Sequence, residues 1–464
     1  MVQDPWGAEE LHEECGVIGI YNEPGINAAE SIYYGLYALQ HRGQESAGIA
    51  VNDHRKIQFH KGMGLVSDVF RDPNMEIFKG NIGIGHVRYS TSGESEIENA
   101  QPIVANYRES QIALAHNGNL VNAKALRNML QDSGVVFQTT IDTEVILNLI
   151  ARNYKADLLE AIKRVGEIIK GAYALVLTID DHLIGLRDPH GMRPMCLGET
   201  ADGYVLASES CALDAIGAKL VRDVEPGEII SIGPEGIRSD RLNQWTKQRL
   251  CIFELLYFAR PDSVMDGIGV YDSRQRAGQI LADEFPVEAD IVVGVPDSGI
   301  PAAIGYAERS GIPYGIGLIK NKYIGRTFIQ PNQEQREKGV RIKLNPLKRN
   351  IEGKRVILVD DSIVRGTTSK RLVELLREAG AKEVHFRVSS PPVAYSCHFG
   401  IDTPYRKQLI ASNMSVEEIK DMIGADSLGY ISLDGLEDAC GRDRGYCRAC
   451  FDGDYPMEVP FDVE

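Results

Sequence analysis

Apolar residues in the first half of the chain come in short runs of strand length: GVIGIY at 16–21, SAGIAV at 46–51, NIGIGHVRYS at 81–90, QIALAHNG at 111–118, AYALVLTID at 172–180 and GYVLAS at 203–208. Runs of this kind between turn residues read as strands. Stretches with a helical repeat separate them, at 28–40, 121–134, 142–153 and 157–170. In DTEVILNLIARN, Val145, Ile146, Leu149 and Ile150 fall on one helical face, and Asp142 stands where an N-cap belongs. Strands, then helices in pairs, then more strands predict a layered α+β domain reaching about residue 245.

The pattern changes from 251 onward. DIVVGVPDSG is a continuous apolar run ending in a turn, and IPAAIGYAERSG after it has the spacing of an amphipathic helix. RVILVDDSIVRGTT repeats the scheme, followed by SKRLVELLREAG with Leu372, Leu375, Leu376 and Ala379 on one face. Uninterrupted apolar strands, each followed by a helix, predict a parallel sheet covered on both sides. Ligands of such sheets bind beyond the carboxyl ends of the strands, where the polar loops 296–299 and 360–368 fall.

Composition narrows the class. The 464 residues carry 50 Lys and Arg against 66 Asp and Glu, a net charge of −16, and 43% are hydrophobic. That is enough apolar material for two or three cored domains at roughly 150 residues each. The acidic balance argues against a nucleic-acid or anionic-membrane binder, whose surfaces are built from Lys and Arg. No apolar run approaches the ~18–20 residues of a bilayer span. Residues 1–14 hold five acids and no Lys or Arg, the wrong start for a signal peptide, so a cytoplasmic protein is expected. Eight cysteines are too few for a disulfide scaffold and read as buried, catalytic or metal-binding thiols.

Two features carry candidate chemistry in the second half. After Asp360 and Asp361, the residues Gly366, Thr367, Thr368 and Ser369 lead into a helix. A small-residue turn at a helix N-terminus offers N–H groups and the positive dipole end to an anion. The two carboxylates could bind Mg²⁺ directly or hold ribose hydroxyls, or be solvated acids at a strand end. Between Lys320 and Lys354 ten Lys or Arg face three Asp or Glu, a local +7 within an acidic chain. Such a basic loop suits a heavily charged diphosphate and could close over it. Elsewhere, Cys15 precedes an apolar strand: it is either a small core residue or a nucleophile. If the leader is removed, the α-amine of Cys15 can serve as base for its own thiol. CRAC at 447–450 is compatible with a redox pair, half a zinc site or half a cluster site.

VILVDDSIVRGTT resembles the phosphoribosyl-diphosphate (PRPP) fingerprint of type I phosphoribosyltransferases, and VPDSGIPAA with KNKYIGRTFI resembles the companion segments of the amidophosphoribosyltransferase family. ECGVIGIY, QHRGQESAGIA, GHVRYSTSG, AHNGNL and IDTE, in that order, resemble the glutamine amidotransferase domain of N-terminal-nucleophile hydrolases. The resemblance implies a cleaved propeptide at 1–14 and a four-layer αββα glutamine amidotransferase domain at 15–245. A type I phosphoribosyltransferase domain with a parallel sheet would follow at 246–464, ending in a cluster-binding segment.

By that likeness Cys15 is the nucleophile, Asn117 and Gly118 form the oxyanion hole, Arg88 clamps the glutamine α-carboxylate and Asp142 holds the α-ammonium. PRPP would be bound by Asp360, Asp361, Ser362, Arg365, Gly366, Thr367, Thr368, Lys320, Tyr323 and Arg326, with Mg²⁺ on Ser298, Asp360 and Asp361. One branch of the family carries a [4Fe–4S] cluster, whose ligands match Cys251, Cys397, Cys447 and Cys450, leaving Cys196, Cys211 and Cys440 over. Zinc on the same thiols is the alternative. The expected reaction uses glutamine and PRPP to make 5-phosphoribosylamine for purine synthesis, in a homotetramer under purine-nucleotide feedback. The rivals are a glutamine amidotransferase with another acceptor and a PRPP-sensing regulator without catalysis.

Overall fold

The computed structural model describes residues 15–53, 55–71, 75, 77–89, 95–155, 157–244, 246–321, 344–403 and 405–460. The leader 1–14, Tyr323 and Arg326 lie outside the described residues.

Thirteen strands build the first half: β1 (Gly16–Asn22), β2 (Ser46–Asp53), β3 (Lys56–Met63), β4 (Ile82–Arg88), β5 (Ile103–Tyr107), β6 (Ser110–Leu120), β7 (Gly171–Ile179), β8 (His182–Arg187), β9 (Cys196–Glu199), β10 (Gly203–Ala207), β11 (Lys219–Asp223), β12 (Glu228–Gly233) and β13 (Gly236–Arg241). They form two antiparallel sheets, ordered β11-β9-β10-β1-β4-β2-β3 and β13-β12-β8-β7-β6-β5. Val17, Ala50, Ile84, Ala115, Val176 and Leu183 pack between the sheets. Helix Ala29–Ala38 covers the outer face of the first through Ile32 and Leu36. Helices Ala123–Asp132, Asp142–Asn153 and Leu158–Ile168 cover the second through Leu130, Val145, Ile146, Leu149, Ile150, Ile162 and Val165. The result is the four-layer αββα stack implied by the resemblance.

One local expectation is corrected. Asp142 does not cap its helix: Ile141 occupies the N-cap without a side-chain bond, and Asp142 is the first helical residue. Its carboxylate instead accepts the Leu120 N–H at 2.9 Å, because β6 runs past the helix start and leaves that donor for it. The edge strands β3 and β13 were not among the predicted elements. Most of their side chains are at least partly exposed, so neither carries a continuous apolar run.

The second half begins with β14 (Leu250–Cys251) and a π-helical turn at Glu254–Phe258, followed by the short hairpin β15 (Val264–Met265) and β16 (Ile268–Gly269). Its centre is the parallel sheet β17 (Ile291–Gly294), β20 (Arg355–Asp360), β21 (Glu383–Val388) and β22 (Ser427–Tyr430), in that order. The pair β18 (Leu318–Lys320) and β19 (Leu344–Pro346) flanks it, and β23 (Tyr446–Cys447) returns to pair with β14 in parallel. Helices Val270–Glu284 and Ile300–Ser310 cover one face through Leu281, Ala302 and Tyr306 against Val292, Ile357 and Val359. Helices Thr367–Glu378 and Val416–Ile423 cover the other through Leu372, Leu376, Ile419 and Ile423 against Val293, Val356 and Leu358. Burial on both faces is why these strands lack the polar alternation of a half-exposed sheet.

Candidate active sites

Cys15 sits at the mouth of β1, whose register with β4 pairs Gly16 with Val87 and so brings Arg88 beside it. The thiol is 8% exposed and lies 3.5 Å from the Tyr89 carbonyl oxygen. Burial pushes its pKa up to about 11, against the pull of the Tyr89 hydrogen bond and the charges of Arg88 and Arg42, with Glu45 adding to the rise. The Cys15 backbone carbonyl accepts a hydrogen bond from Arg42 Nε at 3.1 Å. Arg88, buried, is engaged by the Glu45 carboxylate, so its guanidinium already presents itself to a carboxylate at this spot.

The facing sheet supplies the rest. His86 of β4 donates from Nε2 to the His116 carbonyl of β6 at 3.0 Å, which ties the Arg88 strand to the Asn117 strand. Asn117 is 1% exposed, and neither atom of its side-chain amide has a partner among the described residues. A buried amide left unpaired loses about 1–3 kcal/mol, which fits a group kept for a ligand. Gly118 has φ of +138°, and a Cβ there would stand 2.0 Å from the Ala172 carbonyl oxygen on β7, so only glycine fits. Asp142 lies beneath the same strand, 3.3 Å from His116 Nδ1. Burial raises its carboxyl, but His116 and the Leu120 N–H outweigh that and hold it below the ordinary value. Arg42 and Glu45 fall inside QHRGQES, yet only the tertiary pairing reveals what they touch.

In the second half the loop after β17 and the loop after β20 meet. The Val295 N–H donates to the Val359 carbonyl at 2.9 Å, and the Ser298 hydroxyl donates to Asp361. Ser362 Oγ also donates to Asp361, at 2.6 Å, while Asp360 Oδ1 accepts the Asp361 N–H at 3.0 Å. Gly366 takes the left-handed conformation, φ +80°, at the N-cap of helix Thr367–Glu378. That turn sets the helix N-terminus at the carboxyl edge of the sheet, where helix N–H groups and dipole favour an anion. Lys320 Nζ reaches Asp297 at 2.8 Å, so one lysine of the basic segment stands at this loop, and Arg365 bonds Gln408 at 2.9 Å.

Four of the eight cysteines lie near one another in the second half. Cys251 and Cys447 are direct partners across β14 and β23, and Cys450 follows in the turn Ala449–Asp452. Cys397 is near enough for its charge to bear on all three. Burial pushes the Cys251 and Cys450 thiols well up and that of Cys447 to about 12. Cys440, also buried, lies among Arg276, Arg274 and Glu437 instead. Among the described residues no three His, Cys, Asp or Glu side chains stand at the spacing of one metal ion's ligands. Three buried thiols with the half-buried Cys397 beside them match an iron–sulfur cluster in donor chemistry.

The sequence matches the glutamine amidotransferase domain family over residues 86–215 and the phosphoribosyl transferase domain family over residues 270–390. It is 52% identical to the amidophosphoribosyltransferase of Archaeoglobus fulgidus, over 96% of this chain and 98% of that one. The Bacillus subtilis amidophosphoribosyltransferase is 51% identical, over 97% and 95%. The crystal structure of the B. subtilis glutamine PRPP amidotransferase complexed with ADP and GMP superposes with a TM-score of 0.92 at 50% identity, covering 97% of this chain and 98% of that one. With about half of its residues identical to these relatives over nearly its whole length, the chain belongs to the amidophosphoribosyltransferase family, the enzymes that use glutamine to aminate PRPP in purine biosynthesis.

Proposed function

We propose that glutamine is opened by Cys15 and that the ammonia released is used at the Asp360–Thr368 loop. The observation that carries this reading is the buried, unpartnered Asn117 amide on the strand tied to the Cys15 side of the domain. With residues 1–14 removed, the α-amine of Cys15 takes the thiol proton and the sulfur attacks the glutamine amide carbon. The oxyanion is stabilised by the Asn117 side-chain N–H and the Gly118 backbone N–H. Collapse of that intermediate expels ammonia, protonated by the α-ammonium of Cys15, and leaves a glutamyl thioester that water hydrolyses to glutamate. Arg88 holds the substrate α-carboxylate, exchanging Glu45 for it, and Asp142 supports the α-ammonium. A free thiol at about 11 is a poor nucleophile, so activation by the released α-amine answers a need visible in the site.

At the second site ammonia displaces pyrophosphate from C1 of PRPP, giving 5-phosphoribosylamine. Ser362, Arg365, Gly366, Thr367 and Thr368 cradle the 5-phosphate. Asp360 and Asp361 hold the ribose hydroxyls, and Lys320, Tyr323 and Arg326 meet the pyrophosphate. Ser298, Asp360 and Asp361 would hold Mg²⁺, which when bound neutralises pyrophosphate charge; two carboxylates suffice, because the substrate supplies further oxygens. Cys251, Cys397, Cys447 and Cys450 would hold a [4Fe–4S] cluster that clasps the C-terminal segment to β14. Domain limits at 15–245 and 246–464, a cytoplasmic homotetramer and feedback by purine nucleotides complete the reading. The last is supported by the relative that carries ADP and GMP. Intact mass tests the nucleophile: active protein should begin at Cys15, and activity with 1–14 retained overturns the α-amine base.

A further inference from the structure

At the seam between the two halves lies a buried charge cluster that the reaction as described does not use. Arg42, whose side chain has no solvent exposure, ends the turn Gln40–Arg42 in the first half. Its Nη1 donates to Glu209 at 2.6 Å and to Glu254 at 2.9 Å, its Nη2 donates to the other Glu254 oxygen at 2.8 Å, and its Nε donates to the Cys15 carbonyl at 3.1 Å. Glu209 belongs to the first half and also accepts from His41 at 2.7 Å, Ser263 at 2.7 Å and the Arg260 N–H at 2.9 Å. Glu254 comes from the second half, opens the π-helical turn, is wholly buried and also faces Arg193 at 3.5 Å. That turn is held rigid from behind, since Arg274 donates to the Leu255 and Ala259 carbonyls at 2.8 Å each.

Buried ion clusters of this kind contribute little net stability compared with apolar packing, so their value lies in direction. Here the direction is toward the nucleophile. A residue at the start of a chain has one peptide link to hold it, and its carbonyl is the only peptide group by which the fold can fix its backbone. Arg42 grips that carbonyl, and the fork of Glu254 sets the plane of the guanidinium by two hydrogen bonds.

We propose that Glu254, supplied by the second domain, is a positioning residue for glutamine hydrolysis: through Arg42 it fixes the backbone of Cys15 in attacking position. The first domain therefore depends on the second for the alignment of its own nucleophile. The inference rests on Cys15 being that nucleophile.

The test uses the full chain carrying Glu254→Gln, Arg42→Lys, the pair together, or Cys15→Ser. Glutamate release from glutamine is measured alongside pyrophosphate release from PRPP with ammonia. Glu254→Gln should lower kcat for glutamine by about 10²-fold, the effect of an ångström-scale misplacement, with KM for glutamine and ammonia-dependent turnover unchanged. The double variant should be no worse than the poorer single one, because both break one link. Wild-type kcat in Glu254→Gln, a parallel fall of both activities or additive losses each overturn the proposal. Glutamine hydrolysis by Cys15→Ser would instead overturn the nucleophile assignment itself.

Discussion

Replacing Gly118 by alanine separates the two half-reactions most cleanly. The added Cβ would lie 2.0 Å from the Ala172 oxygen, 2.8 Å from its carbonyl carbon and 3.0 Å from Tyr173 Cα, all backbone atoms of β7. The oxygen contact is about 1.4 Å short of ordinary van der Waals distance, and no side chain can rotate away to relieve it. An L-residue at φ +138° adds about 1–3 kcal/mol of strain. The strand must therefore shift by about an ångström where the oxyanion is to be held, and one lost donor there reduces kcat by about 10²–10³-fold. Glutamate release should fall by that factor with KM for glutamine changed far less, because Arg88 lies on the separate strand β4 and keeps its place. Pyrophosphate release with ammonia should stay at the wild-type rate, since the sheet of β17 and β20 is untouched. A Gly118→Ala enzyme with full glutaminase activity would refute the oxyanion-hole assignment and the strand geometry behind it.

Burial holds His86 neutral, its pKa pushed down to about 3 from the ordinary 6.5. Between those values the unfolded chain binds a proton that the folded chain refuses, so stability falls as pH falls. For this group the loss from pH 7 to pH 5 is about 2 kcal/mol, and urea unfolding should show His86→Gln losing less over that range than wild type; parallel losses would contradict it. Gly366→Ala places a side chain in the left-handed region, about 1–2 kcal/mol, against Met422 and Ile410. KM for PRPP should rise about tenfold with glutamine kinetics unaltered, and steady-state assays with varied PRPP check it. Anaerobically purified protein should be brown with about four irons per chain, and Cys447→Ser should be colourless. A zinc-loaded, colourless, fully active wild type would remove the cluster.

What the sequence disclosed follows from where each interaction is encoded. Strands β17 and β20 of the parallel sheet are legible because burial on both faces writes them as unbroken apolar runs, and the phosphate turn because its residues are contiguous from Asp360 to Thr368, whereas β21 and β22 write no comparable run. Edge strands β3 and β13, half wetted, write no such run. Asp142 looks like a cap in the sequence because its partner, the Leu120 N–H, belongs to a strand 22 residues earlier. CRAC marked two thiols by spacing, whereas the pairing of Cys251 with Cys447 depends on β23 returning to β14. The clamp on Arg42 was invisible for the same reason, its carboxylates lying 167 and 212 residues away. Glu45 stands three residues beyond Arg42, and the motif held it in plain sight, but its engagement of Arg88 needs β2 beside β4.

The central claim is that one chain frees ammonia at Cys15 and spends it on PRPP. Pyrophosphate release from PRPP, measured for wild type and Cys15→Ser with glutamine or with ammonia as the only nitrogen source, tests it most directly. Wild type should release pyrophosphate with either source, and Cys15→Ser with ammonia alone. Glutamine-dependent release by Cys15→Ser, or none by wild type, would contradict the account.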